Sequence, residues 1–156
     1  MLDSLLRWID NRGGAVWIRD NNYLKRHFIV SSKHFGVLLH EWHGSDPDRP
    51  HCHPWWSVSI PLRGYLLEHF HDDTVRHLEF GRIAIRTSRE LHRIVVPKQR
   101  TRPVTLFIHG PVRRKWGFIA PASEWRDRFW VSATSLGIEN SRRQLRGWFF
   151  PRISSE

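Results

Sequence analysis

The chain has 156 residues, 40% of them hydrophobic, and a formal net charge of +10. That length supports one packed domain and that apolar content excludes wholesale disorder, while no apolar run approaches the ~18 residues of a membrane span. The charge comes from 21 arginines against 4 lysines, spread along the chain and interleaved with acids, as in Glu124-Trp125-Arg126-Asp127-Arg128, so nucleic acid is disfavoured as the primary partner.

In chain order, residues 1–11 mix Leu2, Leu5, Leu6 and Ile9 with Asp3, Arg7 and Asp10. This is the pattern of a short amphipathic helix and lacks the unbroken apolar core of a signal peptide. Gly13-Gly14 then breaks the chain. Short apolar segments follow at 15–19, 24–30, 35–42, 56–62, 65–70, 75–80, 82–86, 91–96, 104–109 and 115–120. Turn-rich pieces such as Ser31-Ser32-Lys33, Arg63-Gly64 and Gly110-Pro111 separate them. Many short strands with frequent turns predict an all-β sandwich or barrel with its core at about 15–120. After residue 120 a short helix is expected over 121–128, then an irregular C-terminal segment in which Trp148-Phe149-Phe150 packs back onto the domain or onto a second copy. No linker or repeat divides residues 1–156, so a single domain is expected. The lone Cys52 excludes an internal disulfide and fits a reducing, cytoplasmic setting.

The chemistry concentrates in His51-Cys52-His53-Pro54. On one strand, residues two apart share a face. Alternation then gives His51, His53, Trp55, Ser57 and Ser59 one side, facing inward, and Trp56, Val58 and Ile60 the other. Neutral imidazoles grouped this way suit a transition metal. Cys52, between two inward residues, is expected to pack as a thiol pointing away from them.

These residues resemble the cupin superfamily (RmlC-like). Its first motif runs from a glycine through His-x-His and a glutamate to a second glycine, and Gly44, His51, His53 and Gly64 follow it with one extra residue, Ser57 standing at the glutamate position. In the second motif Gly81 and His92 keep the spacing, while Thr87, Arg89 and Val96 replace the usual Pro, Gly and Asn. The likeness covers about 35–120. The local texture is also similar to small uncharacterised cupin-like proteins of phage and prophage type, through His51–Trp55, Gly64-Tyr65, His92-Arg93, Thr105-Leu106-Phe107 and Trp116-Gly117-Phe118.

The resemblance implies a double-stranded β-helix (the cupin jelly roll) and a divalent transition metal on His51, His53 and His92. Iron is the first expectation, with manganese, nickel or zinc as alternatives. Three-histidine iron sites without the glutamate occur among cupin thiol dioxygenases, so a dioxygenase-like enzyme acting on a small anionic molecule is implied. A metal-assisted isomerase or lyase, or a non-enzymatic binding or assembly module, are the alternatives. Glu68 stands near enough in sequence to supply the missing carboxylate. Tyr65 is a candidate proton donor, Ser57, Ser59 and Arg93 candidate substrate contacts, and Arg86 a candidate anion clamp. His69 and His71 alternate like a second His-x-His, but beside Asp72-Asp73 they read as a solvated strand end. Ligand occupancy is expected to fall through the ordinary histidine range near ~6.5. A homodimer is expected from the outward apolar Trp56, Val58 and Ile60 together with Trp148-Phe149-Phe150.

Overall fold

The computed structural model describes residues 1–18, 23–46, 50–114, 117–119 and 130–132. Leu2–Asn11 form α1. The strands are Ala15–Ile18 (β1), Leu24–Ser31 (β2), Gly36–Trp42 (β3), His51–Cys52 (β4), Ser57–Arg63 (β5), Leu66–Phe70 (β6), Val75–Leu78 (β7), Ala84–Arg86 (β8), His92–Val95 (β9), Val104–His109 (β10), Gly117–Ile119 (β11) and Trp130–Ser132 (β12). The expected segments all carry strands. The additions are β4, too short to leave a periodicity, and β12, which lies where no strand was expected. The expectations for 121–128 and for Trp148-Phe149-Phe150 lie outside the described residues.

Two six-stranded antiparallel sheets face each other, one ordered β1-β2-β3-β10-β5-β8 and the other β12-β11-β4-β9-β6-β7. From β3 onward the chain crosses between sheets at almost every connection, leaving the consecutive pairs β6–β7 and β11–β12 within one sheet. That winding is a double-stranded β-helix. It corrects one expectation: His51 to Ser59 are not a single strand. The chain turns at 53–56, so His51 belongs to one sheet and Ser57 to the other. The inward phase survives the turn. Trp55, Ser57 and Ser59 are buried, whereas Trp56 is exposed and Val58 and Ile60 are half-buried.

The turns follow from glycine. Gly64 (φ 68°) and Gly81 (φ 75°) adopt the left-handed conformation that residues with a Cβ resist. Between the sheets, Ile18, Leu24, Trp42, Leu66, Leu78, Ala84 and Ile94 form an apolar core. A second cluster lies outside the barrel, where Leu6 and Ile9 of α1 cover Leu39 and Val104. Leu5, expected on the same apolar face, is exposed. Two ion pairs fix the helix, Asp3 with Arg63 at 2.6 Å and Asp10 with Lys25 at 2.5 Å.

Candidate metal centre

Strand β4 pairs with β9 so that His51 lies directly across from His92. Residues opposed on an antiparallel ladder have side chains on the same face, and both imidazoles are buried between the sheets. His53 follows just past the end of β4, where the chain begins its turn. Its ring centroid is 5.0 Å from that of His51 and 5.0 Å from that of His92, and the His51–His92 separation is 5.4 Å. One nitrogen from each ring lies within 4.8 Å of the others, so the three could hold one metal ion. No carboxylate joins them among the described residues.

The donors are in the right chemical form. Burial pushes the His53 imidazole well below its ordinary 6.5, and the neighbouring His92 and His51 push the same way. Burial likewise takes His92 down to about 4, against the opposing pull of Glu68. Both rings are therefore neutral at neutral pH, as coordination requires. The Nε2 atom of His92 is buried without a hydrogen-bond partner, an orphaned lone pair that a metal would satisfy.

Glu68, fully buried on β6, stands behind this group. Its Oε1 is 2.6 Å from Nδ1 of His92. It also takes both a short ion pair from Arg86 Nε and a 3.0 Å hydrogen bond from Arg86 Nη2, and Arg76 approaches at 3.6 Å. Burial raises the carboxyl, but His92 and Arg86 outweigh it and hold Glu68 down to about 2. A carboxylate on Nδ1 fixes the ring's orientation and leaves Nε2 for a metal. Glu68 thus lies behind His92 rather than within the group of three imidazoles, and it does not fill the vacant glutamate position of Ser57.

The histidines border a cavity of about 70 Å³. Ile18, Leu24, Leu66, Leu78, Ile94 and Phe107 supply apolar walls, while Arg26, His40, Asp46, Ser59, Arg86 and Thr105 supply polar ones.

No protein-family model matches the chain, and no curated protein matches it. Solved structures do. An uncharacterized conserved protein with a double-stranded beta-helix domain, from Klebsiella pneumoniae subsp. pneumoniae MGH 78578, is similar over 69% of this chain and 90% of its own, at 17% identity and a TM-score of 0.53. An RmlC-like cupin protein from Desulfovibrio desulfuricans is similar over 60% of this chain and 89% of its own, at 15% identity and a TM-score of 0.48. This chain has the cupin fold. Identity this low speaks for the fold alone, so the chemistry of the site rests on its own residues.

Within the cupin barrel the remaining expected residues separate. Ser59 lines the cavity and accepts a 2.8 Å hydrogen bond from Arg86 Nη1, whereas Ser57 is fully buried beside it and is not part of the cavity wall. Arg86, held by Glu68 and Ser59, is a strut rather than an open clamp. Arg93 donates from Nε to the Asp46 carbonyl at 3.0 Å and does not itself line the cavity. Tyr65 is 39% exposed at the Gly64 turn, its backbone N–H bonded to Gln99, and it does not reach the cavity. His71 is exposed and His69 half-buried, outside the metal group. Cys52 is fully buried. Arg26 and Asp46 were not singled out by sequence, His40 stood only among the weaker histidine candidates, and Thr105 entered only through the Thr105-Leu106-Phe107 likeness. Each sits on the inward phase of its strand or loop, in a set otherwise made of Leu24, Leu38, Trp42 and Phe107.

Among the described residues no helix is long and apolar enough to cross a membrane.

Proposed function

We propose that this chain is a metal-dependent cupin enzyme acting on a small anionic molecule, with His51, His53 and His92 as the ligands of one divalent transition metal. The observation that carries the reading is the convergence of three imidazoles, one of them backed by Glu68, on the wall of a cavity. Iron is the metal the reading favours, with manganese, nickel or zinc as alternatives, and a dioxygenase-like reaction is favoured over isomerisation or lysis. When bound, such a metal supplies Lewis-acid activation and open positions where a ligand and a co-substrate such as O2 meet.

The protein's own groups do the rest. Three uncharged ligands leave a dication uncompensated, which favours an anion in the open positions. Glu68 and Arg86 lock the His92 ring. Phe107 and the apolar walls limit water, which strengthens electrostatic interactions inside the site. The reading keeps the kinship with small phage- and prophage-type cupin-like proteins, which rests on the sequence texture, and it includes a homodimer formed through the outer apolar face.

Elemental analysis of protein purified without a histidine tag tests it. About one equivalent of iron, manganese, nickel or zinc is expected, falling to background in His92→Ala. Oxygen consumption with a panel of small organic acids then separates dioxygenase from isomerase or lyase chemistry. Wild-type protein that takes up none of these metals would make the non-enzymatic module the better reading.

A further inference from the structure

Helix α1 carries a second apolar stripe that the body of the protein leaves uncovered. Its inner face is used by the fold, where Leu6 and Ile9 are buried with Leu39 and Val104, and Leu2 packs beside them. Met1, Leu5 and Trp8 recur at helical spacing and share a different stripe. All three are exposed, Leu5 at 42% and Trp8 at 54%. Arg12, one turn further on, lays its guanidinium over the Trp8 ring at 4.0 Å. A helix that is apolar on two faces is ordinarily covered on both, because such side chains grouped in water are unfavourable.

The charges around the stripe give the sign of what covers it. The acids of the helix, Asp3 and Asp10, are both engaged by the body, in ion pairs with Arg63 at 2.6 Å and Lys25 at 2.5 Å. Its bases are left outside. Arg7 and Arg12 are exposed, and among the described residues their side chains reach only Ser4, at 3.5 Å, and the Trp8 ring. The same Arg63 that holds Asp3 donates from Nε to the Arg102 carbonyl at 2.9 Å, which sets the 97–102 loop beside the first turn of α1. That loop exposes Lys98, Arg100 and Arg102, of which Arg102 approaches Glu41 at 3.6 Å. Its Gln99 holds the backbone of Tyr65, an aromatic residue 39% exposed.

Three kinds of occupant differ in how they answer this surface. A second copy would set Arg7 and Arg12 against their own counterparts across a two-fold axis, like charge on like charge. A nucleic acid answers the bases and leaves Met1 and Leu5 unmatched. A bilayer containing anionic lipid answers both, since its headgroup layer takes up indole and aliphatic side chains while its phosphates meet arginine and lysine.

We propose that the outer face of α1 and the 97–102 loop form a docking surface for an anionic lipid bilayer. Leu5 and Trp8 enter the headgroup layer, and Arg7, Arg12, Lys98, Arg100 and Arg102 meet the lipid phosphates. The contact is peripheral and reversible, because so few apolar side chains anchor weakly without the help of lipid charge. The surface lies outside the barrel and the three histidines lie between its sheets, so the proposal stands whether or not the chain binds metal.

Co-sedimentation of the whole chain with lipid vesicles tests the surface. Vesicles of phosphatidylcholine alone are compared with vesicles containing about one-third phosphatidylglycerol. Wild type is expected to partition at least about tenfold more strongly to the anionic vesicles and to be released by high salt. Leu5→Ser combined with Trp8→Ser should lower that partition at least about tenfold, and Arg7→Gln or Arg12→Gln about fivefold each. The circular dichroism spectrum should not change, and if the double variant fails to fold, Trp8→Gln alone decides by the same criterion. Wild type that stays in solution with both kinds of vesicle overturns the proposal. So does anionic binding that the serine variant retains in full, because net charge alone then explains it. A serine variant that is monomeric where wild type is dimeric assigns the stripe to a second copy and overturns the proposal as well.

Discussion

Glu68 Oε1 lies 2.6 Å from His92 Nδ1 while the same carboxylate is clasped by Arg86, so one buried acid both aims a ligand ring and balances a buried cation. Glu68→Gln keeps the volume and removes the charge. Two effects follow. Metal affinity should fall about 10–100-fold as the His92 ring loses its anchor. Stability should fall by about 3–5 kcal/mol because Arg86 is left with no full counter-charge. Competition with a chelator measures the first and denaturant unfolding the second. A Glu68→Gln protein with wild-type metal affinity would show that the contact does not tune the site.

The three histidines should be separable from the other imidazoles of the chain. His53→Ala or His92→Ala is expected to empty the site, with a far-ultraviolet circular dichroism spectrum close to wild type. His69→Ala and His71→Ala should leave metal content unchanged, since neither ring joins the group. Metal content per protein after dialysis is the readout, and retention by His92→Ala would remove the assignment.

Acid should act on the fold before it acts on the ligands. In the unfolded chain these imidazoles titrate near ~6.5. In the folded protein burial holds His53 and His40 well below that, and His92 at about 4. Below ~6.5 the unfolded state therefore takes up protons that the folded state refuses, so this contribution to stability is complete above ~6.5 and is lost as pH falls toward 4. Glu68 behaves as a depressed acid. Its contribution is present above the ordinary 4.5 and is lost as pH falls toward about 2. The thermal midpoint of metal-free protein should decline between about pH 6.5 and 4, then more steeply below 4.5. His53 and His92 should stay unprotonated below 6.5, so their protonation should not release a bound metal there. A midpoint flat from pH 7 to 5 would contradict the burial of these rings.

Much of this was readable from residue pattern. Period-two alternation located the strands, and the likeness to the cupin motifs anticipated that His51, His53 and His92 come together. The single-strand reading of 51–59 failed because Pro54-Trp55 carries the chain between sheets without disturbing the inward phase, and alternation cannot distinguish a crossover from a continuous strand. The partnership of Glu68 with His92 and Arg86 was hidden because it joins β6, β9 and β8, and pairing between strands is not encoded in local order. Arg26 and His40 did leave a signal. Each is polar at a position whose i±2 neighbours, Leu24 and Trp42, are core residues. With 21 arginines in the chain, only the fold makes that phase meaningful.

The two turn glycines should differ in what they tolerate. At Gly64 an added Cβ would lie 3.0 Å from the Pro103 Cα and 2.7 Å from the Gln99 Oε1, on a backbone with φ 68°. At Gly81 nothing lies within 4 Å, and only the positive φ of 75° resists. Gly81→Ala should therefore lose about 1 kcal/mol from backbone strain, and Gly64→Ala roughly 2–3 kcal/mol because Pro103 must move as well. Chemical denaturation of both variants tests the order. Equal losses would mean that the Gly64 turn relaxes away from Pro103.

The outer apolar face makes the last prediction. Edge strand β8 and its approach expose Phe80 at 77%, Ile83 at 61% and Ile85 at 66%, and Ile85 pairs across to Val58 beside half-buried Ile60 and exposed Trp56. A row of exposed aliphatic and aromatic side chains ending on a strand edge that is unpaired among the described residues is unfavourable in water and invites association. In a two-fold dimer each side chain is used twice. At roughly 1.5–3 kcal/mol per buried aliphatic side chain, one substitution removes about 3–6 kcal/mol of association energy. Sedimentation equilibrium should give a dimer mass for wild type and a shift toward monomer for Ile85→Lys at the same concentration, with the circular dichroism spectrum unchanged. A monomer mass for wild type from low to high micromolar concentration would show that this face is not used between copies of the chain.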